Sequence, residues 1–153
     1  NKNDLIKLAQ NKEVLLDGNN SMSFAISPSN MTRMTSTNIT TDTGSIHAAV
    51  IWSPSNPNSL NTTKLRIVFT DALYDKPITG DVNYNFIVKT ETGKEIIKEL
   101  NIKGENGTSN QIIKFPSKGT YQIELDLRSI QNSNQTSPDI SRAGIARGFV
   151  VVS

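Results

Sequence analysis

Residues 119–128 read Gly119-Thr120-Tyr121-Gln122-Ile123-Glu124-Leu125-Asp126-Leu127-Arg128. Tyr121, Ile123, Leu125 and Leu127 alternate with Gln122, Glu124, Asp126 and Arg128. Successive side chains of a strand leave opposite faces, so a period of two marks a strand with one face in a core and one in water. On this reading Glu124 and Asp126 belong to a solvated sheet face. Working outward, the same pattern recurs. Met22, Phe24 and Ile26 alternate with Ser23, Ala25 and Ser27. Ile46, Ala48, Val50 and Trp52 alternate with His47, Ala49, Ile51 and Ser53. Leu65, Ile67 and Phe69 alternate with Lys64, Arg66, Val68 and Thr70. Tyr84, Phe86 and Val88 alternate with Asn85, Ile87 and Lys89. The closing run Gly148–Ser153 is continuous and β-branched, which predicts a well-buried final strand, Phe149 included.

Turn residues fall between these runs. Thr92-Gly93 predicts a hairpin joining Asn85–Glu91 to Lys94–Lys103. Asn106-Gly107 is the strongest hairpin signal and predicts that Glu95–Lys103 pairs with Ser109–Phe115. Pro116–Gly119 turns the chain into the strand quoted first. Ser53–Ser59 and Ser27–Ser45 read as long polar loops, and Asp139–Ile145 as one helical turn. Leu5, Ile6, Leu8, Val14, Leu15 and Leu16 fit either a short helix or two short strands, and the β character of the rest favours strands. Eight or nine mostly antiparallel strands without a long amphipathic helix predict an all-β sandwich. Residues 1–153 are read as one domain, with 1–20 as a peripheral or partner-pairing segment.

The 153 residues include six Asn-x-Ser/Thr acceptors, at Asn19, Asn30, Asn38, Asn61, Asn106 and Asn134, and no cysteine. With 17 Asn and 31 Ser or Thr in the chain, six is a modest excess over chance. Their positions say more, because every one falls in a predicted loop, where an N-glycan acceptor must be reachable. Together these features predict export and glycosylation without reliance on disulfides. The chain opens on Asn1 without an apolar leader, which suggests a mature form or excised domain. No apolar run approaches the roughly 18 residues of a membrane span, so any anchor would lie outside these residues. Net charge is +2, and the basic residues are scattered rather than focused. Nucleic-acid binding is not expected.

The chemistry of catalysis is thinly represented. His47 is the only histidine. It falls on the face opposite Ile46 and Ala48, as an exposed strand residue. No Gly-x-Ser-x-Gly elbow accompanies it. A blue-copper site needs two His and a Cys thiolate, and neither set exists here. Met22, Met31 and Met34 with His47 offer soft donors for Cu(I), but Met22 is in phase with Phe24 and Ile26, which favours core packing. Asp71, Asp75 and Asp81 around the Tyr74–Gly80 turn are candidate Ca²⁺ ligands by their hard oxygens. Their spacing is not that of an EF-hand loop. No cofactor is otherwise expected. Tyr74 is the one aromatic residue clearly in a loop, too few for a stacking platform for sugars.

The stretch Phe115-Pro116-Ser117-Lys118-Gly119-Thr120-Tyr121 resembles the Pro-x-x-Gly-Thr-Tyr corner of immunoglobulin-like, fibronectin-like and PKD-like modules. That resemblance implies that the Tyr121 hydroxyl ties back to upstream backbone. The runs Leu65–Phe69 and Pro77–Phe86 resemble β-sandwich domains of archaeal secreted and surface proteins, including those of ammonia-oxidising archaea. In such domains a final Val-rich strand, here Phe149–Val152, often precedes an anchor or sorting signal. The resemblance covers roughly residues 64–153 and implies architecture more than activity. The disulfide of antibody-type domains is missing, which leaves Trp52 to fill the core alone.

The expected function is a non-enzymatic extracellular module, a structural or accessory subunit of an envelope layer, filament or membrane complex. Its partners would be other envelope proteins or further copies joined by strand pairing. Residues 4–16 are the candidate pairing element. The alternative is a surface module that binds glycan or Ca²⁺.

Overall fold

In the computed structural model, residues 35–153 are described. Nine strands follow one another: β1 (Thr35–Thr40), β2 (Ile46–Ser53), β3 (Thr63–Asp71), β4 (Lys76–Pro77), β5 (Asp81–Thr90), β6 (Glu95–Gly104), β7 (Thr108–Ile113), β8 (Gly119–Gln131) and β9 (Gly144–Val152). All pairings are antiparallel. One sheet runs β1-β2-β3, with β7 and the short β4 sharing the far flank of β3; the other runs β6-β5-β8-β9. The described residues are an all-β sandwich of two antiparallel sheets.

The predicted alternation builds the core. Ile46, Ala48, Val50 and Trp52 of β2 and Leu65, Ile67 and Phe69 of β3 are buried against Val82, Tyr84, Phe86 and Val88 of β5 and Tyr121, Ile123, Leu125 and Leu127 of β8. Phe69 meets Tyr84 edge-on across the layer, 5.4 Å between centroids. The Tyr84 hydroxyl donates to Ser109 Oγ of β7 at 2.7 Å and accepts from Gln111 Nε2 at 3.3 Å. One buried phenol thus ties the sheets together, and burial raises its pKa against the pull of those two bonds. On β8 the period of two breaks once: Asn83 pairs with Ser129 but Tyr84 with Leu127, so Arg128 is the extra residue of a bulge. The bulge brings Ile130, three positions after Leu127, back into the core.

Four expectations are corrected. Asn106-Gly107 does not close a hairpin. Both residues take the left-handed backbone that signal demands, φ 53° and 75°, yet β7 pairs with β3 in the other sheet. Gly107 lies so close to the Ile78 carbonyl that a Cβ would collide with it. The turn is therefore a corner between sheets, and it lets Ile113 and then Phe115 enter the core. The polar stretch before Ser45 contains β1, because Thr is β-branched and Ile39 supplies a buried anchor. No helical turn forms at Asp139–Ile145. Asp139 instead bridges Ile130 through two backbone hydrogen bonds of 2.8 and 2.9 Å, and β9 begins at Gly144. Finally, β9 is buried on one face only: Val150 and Val152 point inward, while Phe149 and Val151 are 64% and 72% exposed.

The Thr92-Gly93 hairpin is present between β5 and β6, with Gly93 at φ 91°. The proposed segment 1–20, its pairing element 4–16, and Met22, Met31 and Met34 lie outside the described residues.

Candidate functional site

The loops at one end of the sandwich are built into a single surface. Asp71, at the end of β3, accepts backbone N–H bonds from Leu73 at 2.9 Å and Tyr74 at 3.0 Å, which folds the chain over its own carboxylate. Its other oxygen takes Arg142 Nη1 at 2.6 Å, and Arg142 Nη2 reaches Asp139 at 3.7 Å. Ser45 donates its hydroxyl to the Arg142 carbonyl and accepts Ala72 N–H on its own. Three loops, at 41–45, 71–75 and 139–143, are thereby cross-linked. The Tyr74 and Leu73 N–H groups and then Arg142 hold the Asp71 carboxyl below its ordinary range. Ser141, through its hydroxyl and its N–H, does the same for Asp139. On this frame Leu73, Tyr74 and Ile140 stand exposed.

Beside it lies a polar cleft of about 790 Å³, lined by Thr79, Gly80, Asp81, Asn106 and the turn Gln131–Gln135. That turn is stiffened by its own amides: Gln131 Nε2 donates to the carbonyls of Asn132 and Gln135, and Gln135 Oε1 accepts from Asn132 N and Nδ2. Gly80 is small because it must be: a Cβ there would sit 2.5 Å from Asn132 Oδ1.

The three candidate Ca²⁺ ligands do not converge. Asp71 is committed to Arg142 and two N–H groups. Asp81 accepts Asn106 N–H at 3.1 Å and faces Lys103 at 3.7 Å. Asp75, in left-handed backbone at φ 54°, lines a different hollow with His47, Thr40 and Asn38. Among the described residues no three His, Cys, Asp or Glu side chains gather around one point. His47 is exposed and shares a 2.7 Å hydrogen bond between its Nδ1 and Thr40 Oγ1.

Glu124 departs from the solvated face expected for it. It is only 6% exposed, on the outer side of the second sheet. Lys89 Nζ on β5 and Arg147 Nε on β9 both reach its Oε2 at 3.1 Å. Burial pushes its pKa up, and the two charge-assisted bonds outweigh that and leave it lowered. Asp126 remains half-exposed, with Asn85 and Arg128 on its Oδ2.

Trp52 is buried and donates its indole N–H to Thr37 Oγ1 at 3.2 Å. The Tyr121 hydroxyl donates to the Ser117 carbonyl at 2.8 Å, and its ring packs on Phe115 with centroids 4.9 Å apart.

The acceptor asparagines divide. Asn19 and Asn30 lie outside the described residues. Asn61 and Asn134 are exposed in irregular segments, and Asn106 is exposed in the corner between β6 and β7. Asn38 corrects the all-loop expectation: it sits mid-strand in β1, paired with Ala49, with its side chain exposed.

Sequence reasoning missed Arg142, the cleft, and the apolar outer face of β9. For β9 a signal was present. Arg147, Phe149 and Val151 share one phase, and an arginine in that phase marks it as the outer one. For Arg142 none was, since its partner Asp71 is 71 residues away.

No family model, curated protein or solved structure matches this chain.

Proposed function

We propose that the chain is a non-enzymatic, N-glycosylated module of the immunoglobulin-like or PKD-like sandwich kind, working outside the cell as a structural or accessory subunit of an archaeal envelope layer, filament or membrane complex. The observation that carries this reading is the edge strand β9, open between two tied ends: Asp42 N–H binds the Ile145 carbonyl at one, and Ser153 bonds to Pro57 and Ser59 at the other. Its last five residues, Gly148-Phe149-Val150-Val151-Val152, contain no charge and no proline, and two large apolar side chains stand in water. Sheet edges are ordinarily blunted by Lys, Pro or bulges, because an unpaired strand templates another. An edge left apolar suits addition of a strand. Two-fold antiparallel pairing of β9 with a second copy, centred on Phe149, sets Phe149 against Phe149 and Arg147 against Val151. No cation then faces a cation, so charge favours this register.

Three chain crossings between the sheets, at 78–80, 105–107 and 114–118, support the sandwich assignment. The exposed His47, whose one hydrogen-bond partner among the described residues is Thr40, supports a non-catalytic role.

Light scattering on the full chain after size exclusion tests the reading. Association that rises with concentration and disappears in Phe149→Lys/Val151→Lys is the expected result. A wild-type chain monomeric up to its solubility limit removes it. Deleting residues 1–16 separates the two strand sources: association that survives the deletion belongs to β9.

A further inference from the structure

Two of the acceptor asparagines, Asn106 and Asn134, line the same cleft. They are 28 positions apart in the chain (106 against 134) and come from different segments, the β6–β7 corner and the turn after β8. The volume, about 790 Å³, lies in the roughly 300–1,000 Å³ range of ligand-holding sites. The lining does not suit an apolar ligand. It consists of side-chain amides from Asn106, Gln131, Asn132, Asn134 and Gln135, hydroxyls from Thr79 and Ser133, and the Asp81 carboxylate. Paired donors and acceptors of this kind hydrogen-bond vicinal hydroxyls and acetamido groups.

We propose that this cleft seats the first sugars of the protein's own N-linked glycan, carried by Asn106. The inference rests on the glycosylated reading given above and adds where the glycan lies and what it does. Asn106 is the better-fixed acceptor of the two. Its N–H is held by Asp81 Oδ1, its φ of 53° is set by the corner, and Gly107 behind it is wedged under Ile78. The opposite wall, Gln131–Gln135, is braced by four amide hydrogen bonds before any sugar arrives. A glycan leaving Asn106 therefore meets a formed surface, and ordering it there costs the protein little rearrangement. In the modification the Asn106 amide nitrogen attacks the anomeric carbon of an activated glycosyl phosphate donor. A C–N bond forms, the C–O bond to phosphate breaks, and the nitrogen loses one proton.

The test uses full-length protein made in a host that glycosylates these acceptors and in one that does not. Thr108→Val removes the Asn106 acceptor signal while keeping Asn106 and the branched shape at position 108. Asn61→Gln removes a glycan remote from the cleft. Glycopeptide mass spectrometry is expected to find Asn106 occupied. Thr108→Val should then lower the Tm of the glycosylated protein by about 2–4 °C, the shift of roughly one net interaction in a chain this size, and leave the unglycosylated protein unchanged. Asn61→Gln should shift neither. Occupied sites elsewhere with Asn106 bare overturn the inference and spare the export reading. An occupied Asn106 whose loss shifts Tm no more than Asn61→Gln also overturns it. Protein from its native source with no glycan on any acceptor overturns the export reading itself, and the inference with it.

Discussion

The second sheet has two edges, and they are built in opposite ways. At β6 the edge carries Glu95, Lys98, Glu99 and Lys103, and it is bulged. Tyr84 pairs with Ile102 but Phe86 with Glu99, and Asn101 takes φ 57° with its N–H turned onto Asn85 Oδ1. Charge and a bulge are two of the ways of keeping an edge from recruiting a neighbour. At β9 neither is present beyond Arg147, and that arginine is turned inward along the sheet to Glu124. The same sheet therefore shows what a guarded edge looks like; β9 is tied at its two ends, by Thr41–Asp42 at Ile145–Ala146 and by Pro57 and Ser59 at Ser153, and lacks such a guard only in between. The middle of β9 is therefore the stretch on which the proposed strand pairing depends.

Making β9 resemble β6 is the most direct way to break the contrast, and it carries the largest expected effect. Phe149→Lys/Val151→Lys places cations opposite one another in the self-pairing centred on Phe149, a juxtaposition that costs several kcal/mol. The dissociation constant of the assembly should rise at least about 100-fold, read by sedimentation or light scattering. Both side chains are exposed, so thermal unfolding of the monomer should move by less than about 0.5 kcal/mol. A loss of fold in this variant would show that the outer face of β9 is structural.

The edges also differ in how legible they were. The interior strands β2, β3, β5 and β8 follow from period two because each packs one whole face against the opposite sheet. Edge and corner elements follow other rules. β1 is spelled in Thr, Ser and Asn, with Ile39 as its only strongly apolar residue, and it forms because β2 offers a partner. Asn106-Gly107 adopts the backbone its residues prefer, but local conformation does not decide whether the next strand returns to the same sheet. That choice was made at the open flank of β3, whose backbone groups from Thr63 to Val68 pair with β7. Among the candidate residues, Trp52 and Tyr121 could be placed in the core from phase alone. The dispersal of Asp71, Asp75 and Asp81 could not be foreseen, since it depends on Arg142, Lys103 and the corner at Asn106. Glu124 has the phase of a surface residue. It is nevertheless buried, flanked in register by Ile87 of β5 and Arg147 of β9 and bound to Lys89 and Arg147.

Glu124 is also where the two flanks of β8 are joined, which gives the second prediction. Glu124→Ala removes the acceptor of both Lys89 and Arg147 and should cost about 2 kcal/mol in denaturant unfolding, since bonds to a buried charge are worth about 1.5–3 kcal/mol. Single truncations divide the effect. Arg147→Met is expected to cost less than Glu124→Ala and to loosen β9, seen as faster amide exchange at Gly148–Val152 than at Glu95–Gly104. Equal exchange on both edges would mean that the ion pairs do not anchor β9 at all.

Tyr121→Phe is a smaller perturbation of the same contrast. Tyr121 is paired with Thr90 of β5 on one side and Val150 of β9 on the other. Its hydroxyl holds the Ser117 carbonyl, fixing the turn that enters β8. Loss of this bond, with the 3.2 Å one the hydroxyl shares with Ser117 Oγ, should cost about 1 kcal/mol and leave the association of β9 unchanged. A Tm equal to wild type would demote the bond to a consequence of the turn.

The smallest effect is a change of slope with pH. The folded pKa of Glu124 lies below its unfolded value of about 4.3. A carboxyl with a depressed folded pKa stabilises the protein fully above the unfolded value, and loses that contribution as pH falls through the folded one. Stability should therefore decline below about pH 4.3, and Glu124→Gln should flatten that decline while lowering the plateau above it. Asp71 and Asp139 are depressed as well, so part of the acid decline must survive in the variant. The comparison of edges makes the residue specific. Because Glu124 holds β9 through Arg147, acid should raise amide exchange on β9 before it does so on β6, whose exposed charge pairs contribute little. Acid fraying that begins at β6 instead would place the weak edge of the sheet on the guarded side.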